Sequence, residues 1–241
     1  MKTDAIILGS GRSTRMQGTD KLLADLAGNP VIAWSLRAFE DNAGIRSVVV
    51  TTSTENDQDI RNILRSSQFS KICSIVVGGH CRAHSVLNAL KALKDRPPDF
   101  VAVHDGARPL LTQTMISNGL HQLEVHRAAI PALPATDTVK IVDQHQRIMQ
   151  SLPRSTVWHA QTPQFARYKD ILDAHVVRSN NLNNFTDDAS LLEASGIPIQ
   201  IYQGDPENLK ITTVQDLNTA SAITERRHVD FPTTTRRRPK T

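Results

Sequence analysis

The chain has 241 residues, of which 39% are hydrophobic, enough for one substantial α/β domain with its own core. No segment approaches the roughly 18 consecutive apolar residues of a membrane span, and the N-terminus becomes polar too soon for a signal peptide. The two cysteines, Cys73 and Cys81, are too few for a disulfide framework. We therefore expect a cytoplasmic protein that does not interact with membranes.

The net charge of +4 comes from one end of the sequence, because residues 226–241 hold six Lys or Arg side chains and one acidic side chain. This segment is rich in Thr, Arg and Pro and has little to bury, so we predict a disordered tail after a single domain at 1–225. A nucleic-acid-binding function would depend on this tail alone and would predict salt-dependent affinity that its deletion abolishes. Because the remainder is not basic, we expect no nucleic-acid partner.

Apolar, partly β-branched segments alternate with helical periodicity along the first half of the chain. Strands are predicted at 5–8, 47–51, 75–77 and 100–104, and helices at 30–39, 57–66 and 82–93. Repeated strand–helix–strand units predict an α/β fold with a doubly wound parallel sheet and right-handed crossovers. Ligands of such a sheet bind at the carboxyl ends of its strands.

The second half of the chain returns to helical periodicity, with one interruption. Helices are predicted at 112–125, 168–177, 187–194 and 214–225, and a strand at 197–202. Residues 137–152 alternate weakly around a polar centre, which predicts a β-hairpin that projects from the body as an arm at about 135–155. Because an isolated hairpin is only marginally stable, we expect this arm to pack on another surface, such as that of a second subunit.

A glycine-rich loop follows the first predicted strand. Gly9 and Gly11 would let backbone N–H groups approach phosphates, and Arg15 and Lys21 add positive charge. The spacing matches neither the dinucleotide-binding motif nor the P-loop. An ordinary turn with solvated basic residues therefore remains an alternative to a phosphate-binding loop.

Two more turns lie at the carboxyl ends of predicted strands. Gly78 and Gly79 precede Ser85 near a helix start, which suits contacts with a ribose or base, although a plain turn with a helix cap is the alternative. Asp105 and Arg108 lie in the segment Asp105-Gly106-Ala107-Arg108, directly after the fourth predicted strand. Their place at the carboxyl end of a strand predicts contacts with a ligand, and an ordinary Asp-Gly turn is the alternative.

His80, Cys81 and His84 carry side chains that can bind zinc. Two histidines in a helix without a further paired ligand are usually surface residues, so we predict no zinc site here. The sequence identifies no dedicated metal ligand, and Asp105 is the only candidate for a contact with a metal ion.

The loop at residues 11–16 resembles the G-x-[GS]-x-R-M loop of the sugar-nucleotide transferase superfamily, and Lys21 and the L-x-G-x-P step at 26–30 follow in the same order. One departure is Gly9-Ser10, where the superfamily usually has Ala-Ala. With HDGARP (104–109), DTVK (137–140), WHAQTPQF (158–165), TDDASLLE (186–193) and NLKIT (208–212), the sequence over about 5–220 resembles the 2-C-methyl-D-erythritol 4-phosphate cytidylyltransferase family.

The resemblance implies a Rossmann variant of the nucleotide-diphospho-sugar transferase type, with a mostly parallel sheet. It implies transfer of CMP from CTP to 2-C-methyl-D-erythritol 4-phosphate, with Mg²⁺ arriving on CTP, in a homodimer that exchanges its arms. A substrate phosphate with a second pKa near 6 is already ionised at neutral pH and needs no general base. This agrees with a sequence in which no Ser-His-Asp or Cys-His arrangement stands out.

The resemblance also implies roles for individual residues. The implied catalytic residues are Arg15, Lys21, Arg154 and Lys210. The implied CTP-binding residues are Gly11, Arg12, Ser13, Arg15, Lys21, Gly78, Gly79, Ser85, Asp105 and Ala107. The implied polyol-phosphate-binding residues are Asp105, Arg108, Thr138, Arg154, Thr186 and Lys210.

Two related functions remain as alternatives to this one. A ribitol-5-phosphate cytidylyltransferase shares the fold and the loop, but HDGARP and Arg154 favour the erythritol enzyme. An inactive relative that only senses nucleotide is disfavoured by the presence of Arg15, Lys21, Arg154 and Lys210.

Overall fold

The computed structural model describes residues 1–11, 20–67 and 69–227. Its strands are β1 (Thr3–Gly9), β2 (Asp25–Leu26), β3 (Asn29–Pro30), β4 (Ile45–Thr52), β5 (Ile72–Val77), β6 (Phe100–Asp105), β7 (Ala128–Pro134), β8 (Lys140–Val142), β9 (Ile148–Ser151), β10 (Trp158–Ala160), β11 (Gln164–Arg167) and β12 (Gln200–Gln203). Its α-helices are α1 (Val31–Glu40), α2 (Asp57–Ser66), α3 (Arg82–Ala92), α4 (Gln113–Gln122), α5 (Tyr168–Val177), α6 (Asp188–Glu193) and α7 (Val214–Arg227).

Eight strands form the central sheet, in the order β10-β7-β11-β6-β1-β4-β5, with β12 also paired to β7. Strands β5, β4, β1 and β6 are mutually parallel, which confirms the predicted doubly wound, mostly parallel sheet. Strand β11 runs antiparallel between β6 and β7. The part of the sheet beyond β6 is therefore mixed. The alternation of strands and helices in the first half of the sequence did not predict this.

Strand β1 lies at the centre of the sheet and contributes to both faces of the core. Ala5 and Ile7 pack into the cluster on the face that carries α1 and α4. Ile6 and Leu8 pack into the cluster on the opposite face, with α3 and α5. Because successive side chains of a strand point to opposite faces, a continuous apolar run is what a strand covered on both sides requires.

Gly119 lies in α4 where the helix packs against Phe165 of β11. A Cβ atom at Gly119 would lie 2.1 Å from the Phe165 ring, which is fully buried. We expect Gly119→Ala to destabilise the protein by about 2 kcal/mol, because overpacking of the ring outweighs the better helix propensity of alanine. Denaturant unfolding checks this. The exposed Asn118 of the same helix is the control, and Asn118→Ala is expected to leave stability unchanged or slightly higher. Equal effects of the two substitutions would contradict the packing argument.

Strands β8 and β9 form a separate two-stranded antiparallel sheet within the segment predicted as a hairpin. Its turn is closed by the Asp143 carboxylate, which accepts hydrogen bonds from the backbone N–H groups of His145 at 2.8 Å and Arg147 at 2.9 Å. The residues of both strands are exposed. An exchange of this hairpin between subunits stays a prediction.

Helix α7 continues through Arg227, two residues beyond the predicted end of the domain at residue 225. The Arg227 guanidinium lies 2.6 Å from a carboxylate oxygen of Glu207 and donates to the backbone oxygen of Leu110 at 3.1 Å. Arg226 and Arg227 are therefore part of the folded domain. The remainder of the predicted tail, 228–241, lies outside the described residues.

Candidate functional site

A cleft of about 470 Å³ opens at the carboxyl ends of β1, β4, β5 and β6. This is the edge at which a doubly wound sheet binds its ligands. Its lining combines glycine turns and small hydroxyl side chains with charged and metal-binding groups: Lys21, Lys210, Arg82, Asp105, Glu55, His80 and Cys81.

The glycines after β1 and β5 allow backbone segments to approach closely. A Cβ atom at Gly9 would lie 2.4 Å from the backbone oxygen of Thr51, and one at Gly78 would lie 2.5 Å from Ser10. The Ser10 hydroxyl is 2.9 Å from that of Ser85 and 3.2 Å from that of Thr51. The Gly9-Ser10 departure thus gives this chain a hydroxyl link that ties the first loop to helix α3 and strand β4, which alanine at position 10 could not form.

The Gly78-Gly79 turn is bound to the start of α3 through Ser85. The backbone N–H of Gly79 donates to the Ser85 hydroxyl oxygen at 3.1 Å, and that hydroxyl lies 3.1 Å from the backbone oxygen of Cys81. One buried serine therefore holds the turn, the helix N-terminus and the Ser10 loop together.

Asp105 is the buried anionic centre of the cleft. One of its carboxylate oxygens lies 2.7 Å from Lys210 Nζ, and the other lies 3.3 Å from Arg82 Nε. Burial alone raises the pKa of Asp105, but the positive charges of Arg82 and Lys210 outweigh it and hold the pKa well below its usual range. Asp105 is therefore ionised, and it fixes the position of the Lys210 ammonium group.

Arg82 connects Asp105 to a second buried carboxylate. Its Nη1 lies 2.8 Å from Asp188, which is 1% exposed. Burial lowers the pKa of Arg82, but Asp188 and Asp105 more than compensate and raise it above its usual value. The Arg82 side chain is thus a fixed cation in the wall of the cleft.

A neutral histidine supports Asp105 from the side of the core. Burial lowers the pKa of His104 to about 4. His104 Nε2 lies 3.1 Å from the backbone oxygen of Arg108, so it must carry the proton, and Nδ1 accepts from the Thr162 hydroxyl at 3.0 Å. The Thr162 oxygen in turn accepts from the backbone N–H of Asp105 at 3.2 Å. These hydrogen bonds fix the position of the backbone at the C-terminal end of β6, from which Asp105 extends.

The structure brings eight of the predicted site residues to the lining of the cleft: Gly11, Lys21, Gly78, Gly79, Ser85, Asp105, Ala107 and Lys210. These come from segments far apart in the sequence, so the fold gathers them. Three predicted residues, Arg12, Ser13 and Arg15, lie outside the described residues.

Four predicted substrate-binding residues are not among those that line the cleft: Arg108, Thr138, Arg154 and Thr186. Arg108 lies behind the wall and donates to the backbone oxygen of Asn208 at 2.6 Å. Arg154 is exposed and donates to the backbone oxygen of Thr136 at 2.8 Å. Thr138 and Thr186 are exposed as well.

Sequence reasoning missed Arg82 and Asp188, the ion pair next to Asp105. Arg82 is the first residue of α3, directly after the Gly78-Gly79 turn, so its position near the ligand edge was open to prediction. Asp188 lies within the TDDASLLE segment but was not singled out. Its pairing with Arg82, 106 residues away, left no local signal.

Among the described residues, no helix has the length and apolar character that a membrane crossing needs.

The sequence matches the family model described as IspD: 2-C-methyl-D-erythritol 4-phosphate cytidylyltransferase over residues 3–226. A relative from Caldanaerobacter subterraneus subsp. tengcongensis, named 2-C-methyl-D-erythritol 4-phosphate cytidylyltransferase, is 35% identical over 219 residues, or 90% of this chain and 96% of the relative. A relative of the same name from Pelotomaculum thermopropionicum is 38% identical over 231 residues, or 94% and 95%.

The fold is similar to solved structures with related names. The 4-diphosphocytidyl-2C-methyl-D-erythritol synthase of Anaerococcus prevotii superposes with a TM-score of 0.82 at 26% identity, covering 93% of this chain and 98% of that one. The 2-C-methyl-D-erythritol 4-phosphate cytidylyltransferase of Francisella tularensis superposes with a TM-score of 0.78 at 32% identity, covering 92% and 99%.

Proposed function

The chain belongs to the 2-C-methyl-D-erythritol 4-phosphate cytidylyltransferase family, and we propose that the cleft at the carboxyl end of the sheet is its active site. The enzyme transfers CMP from CTP to 2-C-methyl-D-erythritol 4-phosphate, giving 4-diphosphocytidyl-2-C-methyl-D-erythritol and pyrophosphate, in the non-mevalonate pathway. The observation that carries the placement is the meeting of Lys21, the glycine turns and the Asp105–Lys210 pair in one cleft.

The reaction is an in-line displacement at the α-phosphorus of CTP. A phosphate oxygen of the polyol substrate forms the new P–O bond, and the bond from the α-phosphorus to the oxygen bridging the β-phosphorus breaks, releasing pyrophosphate. Because the attacking phosphate is ionised at neutral pH, the protein has to position two anions and neutralise charge, without removing a proton.

Lys21 and Arg15 are proposed to stabilise the charge that develops at the α-phosphorus. Lys21 lies in the cleft, beside the glycine loop whose backbone would approach the triphosphate. The residues proposed to contact CTP are Gly11, Arg12, Ser13, Arg15, Lys21, Gly78, Gly79, Ser85, Asp105 and Ala107.

Lys210 is proposed to hold the phosphate of the polyol for attack. Its ammonium nitrogen lies 2.7 Å from a carboxylate oxygen of Asp105. The Lys210 side chain is 38% exposed, so a phosphate in the cleft can reach it. A lysine fixed in this way has less freedom to lose when it binds a phosphate. Asp105 itself is proposed to bind a polyol hydroxyl through the lone pairs that Arg82 and Lys210 leave available.

Mg²⁺ is proposed to accompany CTP. A magnesium ion on substrate phosphates typically takes one or two protein carboxylates and keeps several waters. Asp105 and Glu55 line the cleft, so the residues present fit such an ion, and Asp105 is the proposed ligand. When bound, it would neutralise charge on the triphosphate oxygens.

The enzyme is proposed to be a homodimer whose arm, the β8–β9 hairpin with its flanks, completes the site of the neighbouring subunit. Support comes from Thr138 and Arg154, which flank the hairpin and do not line the cleft of their own chain. The arm also exposes large apolar side chains: Ile148 is 63% exposed and Met149 is 69% exposed. Paired arms would remove these from water.

The dimer proposal predicts that specific activity falls when the enzyme is diluted below its dimer dissociation constant. Met149→Asp is expected to shift this loss to higher protein concentrations, because a charge in an apolar interface opposes association. Sedimentation and pyrophosphate release measured on the same dilution series check the prediction. The exposed Val125, outside the arm, supplies the control Val125→Asp. A monomer with full activity would contradict it.

The polyol specificity is tested by offering methylerythritol phosphate or ribitol 5-phosphate separately with CTP and Mg²⁺. Pyrophosphate release is expected with methylerythritol phosphate, and release at least about 10²-fold slower is expected with ribitol 5-phosphate. The reason is that a missing or misplaced substrate hydroxyl leaves polar groups of the site without a hydrogen-bond partner. Faster release with ribitol 5-phosphate would support the alternative function. No release with either substrate would sink the assignment of the site.

The working compartment is proposed to be the cytoplasm. Cys73 and Cys81 are both free thiols, which a reducing compartment maintains.

A further inference from the structure

Three side chains with metal-binding atoms lie together at the edge of the cleft. His80, Cys81 and His84 offer one ligand atom each, and these three atoms all lie within 4.8 Å of one another. Cys81 Sγ is 3.0 Å from His84 Nδ1, and the rings of His80 and His84 have centroids 3.8 Å apart. His80 is exposed and the other two are partly exposed, so a metal ion can reach them from solvent.

We propose that His80, Cys81 and His84 form a three-ligand Zn²⁺ site with an open fourth position. Tetrahedral zinc, with Zn–S of about 2.3 Å and Zn–N of about 2.0–2.1 Å, places neighbouring ligand atoms roughly 3.3–3.6 Å apart. Cys81 Sγ and His84 Nδ1 are slightly closer than this at 3.0 Å, and no two of the three ligand atoms are more than 4.8 Å apart, so side-chain rotations can bring them to a common ion. A thiolate with two imidazoles selects zinc over magnesium, which distinguishes this site from the oxygen ligands at Asp105.

The backbone fixes the three residues relative to one another. Cys81 is the extended N-cap residue of α3, and His84 lies in the first turn of that helix. A Cβ atom at Gly79 would lie 2.4 Å from His84 Cβ, so the turn that carries His80 packs directly against His84. The site therefore joins the turn to the helix, and two of its ligands, His80 and Cys81, also line the cleft.

The test is a titration of the metal-free full chain with Co²⁺, without CTP, followed by displacement with Zn²⁺. One equivalent of Co²⁺ is expected to produce a thiolate-to-cobalt charge-transfer band in the near ultraviolet and intense tetrahedral d–d bands, and Zn²⁺ is expected to abolish both. Absence of a saturable charge-transfer band in the unmodified chain would overturn the proposal.

Matched variants locate the site. Cys81→Ser is expected to lose the charge-transfer band, whereas Cys73→Ser, which changes the other free cysteine, is expected to keep it. His80→Asn should weaken Zn²⁺ binding by about 100-fold or more in competition with a chromophoric chelator, since loss of an outer-shell partner alone costs 10- to 100-fold. His121→Asn, at a histidine with 74% side-chain exposure, should leave Zn²⁺ affinity unchanged.

Retention of the band in Cys81→Ser, or equal Zn²⁺ affinities for the His80 and His121 variants, would contradict the site. Because His80 is exposed, its substitution is compatible with folding even if Cys81→Ser fails to fold. The measurements contain no nucleotide, so their outcome is independent of the proposed cytidylyltransferase site.

Discussion

Replacing Lys21 with alanine is expected to lower kcat for CMP transfer by about 10²-fold or more, with a smaller change in the KM for CTP. Lys21 lies in the cleft beside the glycine loop. Its charge is proposed to act where negative charge grows in the transition state, and removal of one such preorganised donor typically costs 10²- to 10³-fold in kcat. Steady-state pyrophosphate release over a range of CTP concentrations measures both parameters.

The control for Lys21→Ala is Lys169→Ala, because the side chain of Lys169 is 84% exposed and remote charge loss should leave kcat unchanged. Lys21→Arg, which keeps the charge but alters its shape, is expected to retain more activity than Lys21→Ala. If Lys21→Ala raises KM alone, Lys21 contributes equally to binding the ground and transition states, and its proposed catalytic role is wrong.

Replacing Asp105 with asparagine is expected to destabilise the protein by about 3 kcal/mol, since removing one partner of a buried ion pair leaves uncompensated charge. Asp105 is 8% exposed and is the carboxylate that Arg82 and Lys210 share. Urea unfolding at neutral pH measures this effect. Asp173→Asn is the control, because the Lys169–Asp173 pair is on the surface and should contribute under about 1 kcal/mol.

The pH dependence of stability gives a second measurement on Asp105. Its pKa in the folded protein lies below the unfolded value, so its contribution is fully present above the unfolded pKa of about 3.9 and is lost as the pH falls toward the folded pKa. The unmodified chain should therefore lose stability more steeply than Asp105→Asn below about pH 4. Parallel profiles would show that Asp105 is not stabilised by its cationic neighbours.

Local sequence was sufficient for the parallel half of the sheet and its helices. Strands β1, β4 and β6 and helices α2, α3 and α5 lie where the apolar runs and the helical periodicity predicted them, with ends that differ by a few residues at most. The three strands are buried along their length and each helix turns its apolar side chains to the sheet, down to the single buried Ile60 of α2, so the hydrophobic pattern of each element records its environment.

Strands β7, β10 and β11 were not predicted. Strand β7 contains Pro131 and Pro134 together with three alanines, a composition depleted in strands, and β10 and β11 have three and four residues. Their pairing with each other and with β6 stabilises them, because a strand that is short or rich in alanine and proline acquires strand conformation chiefly from its neighbours.

The sequence by itself determined the chemistry available to this protein: the glycine loop with Lys21, the Asp105 turn, Lys210, and the segments by which the family is identified. Tertiary structure alone decided how these groups pair. It placed Arg82 and Lys210 on either side of Asp105, joined Arg82 to Asp188, left Arg154 outside the cleft of its own chain, and gathered His80, Cys81 and His84. The reason is that charge pairing and burial depend on distances between segments far apart in sequence, which periodicity does not encode.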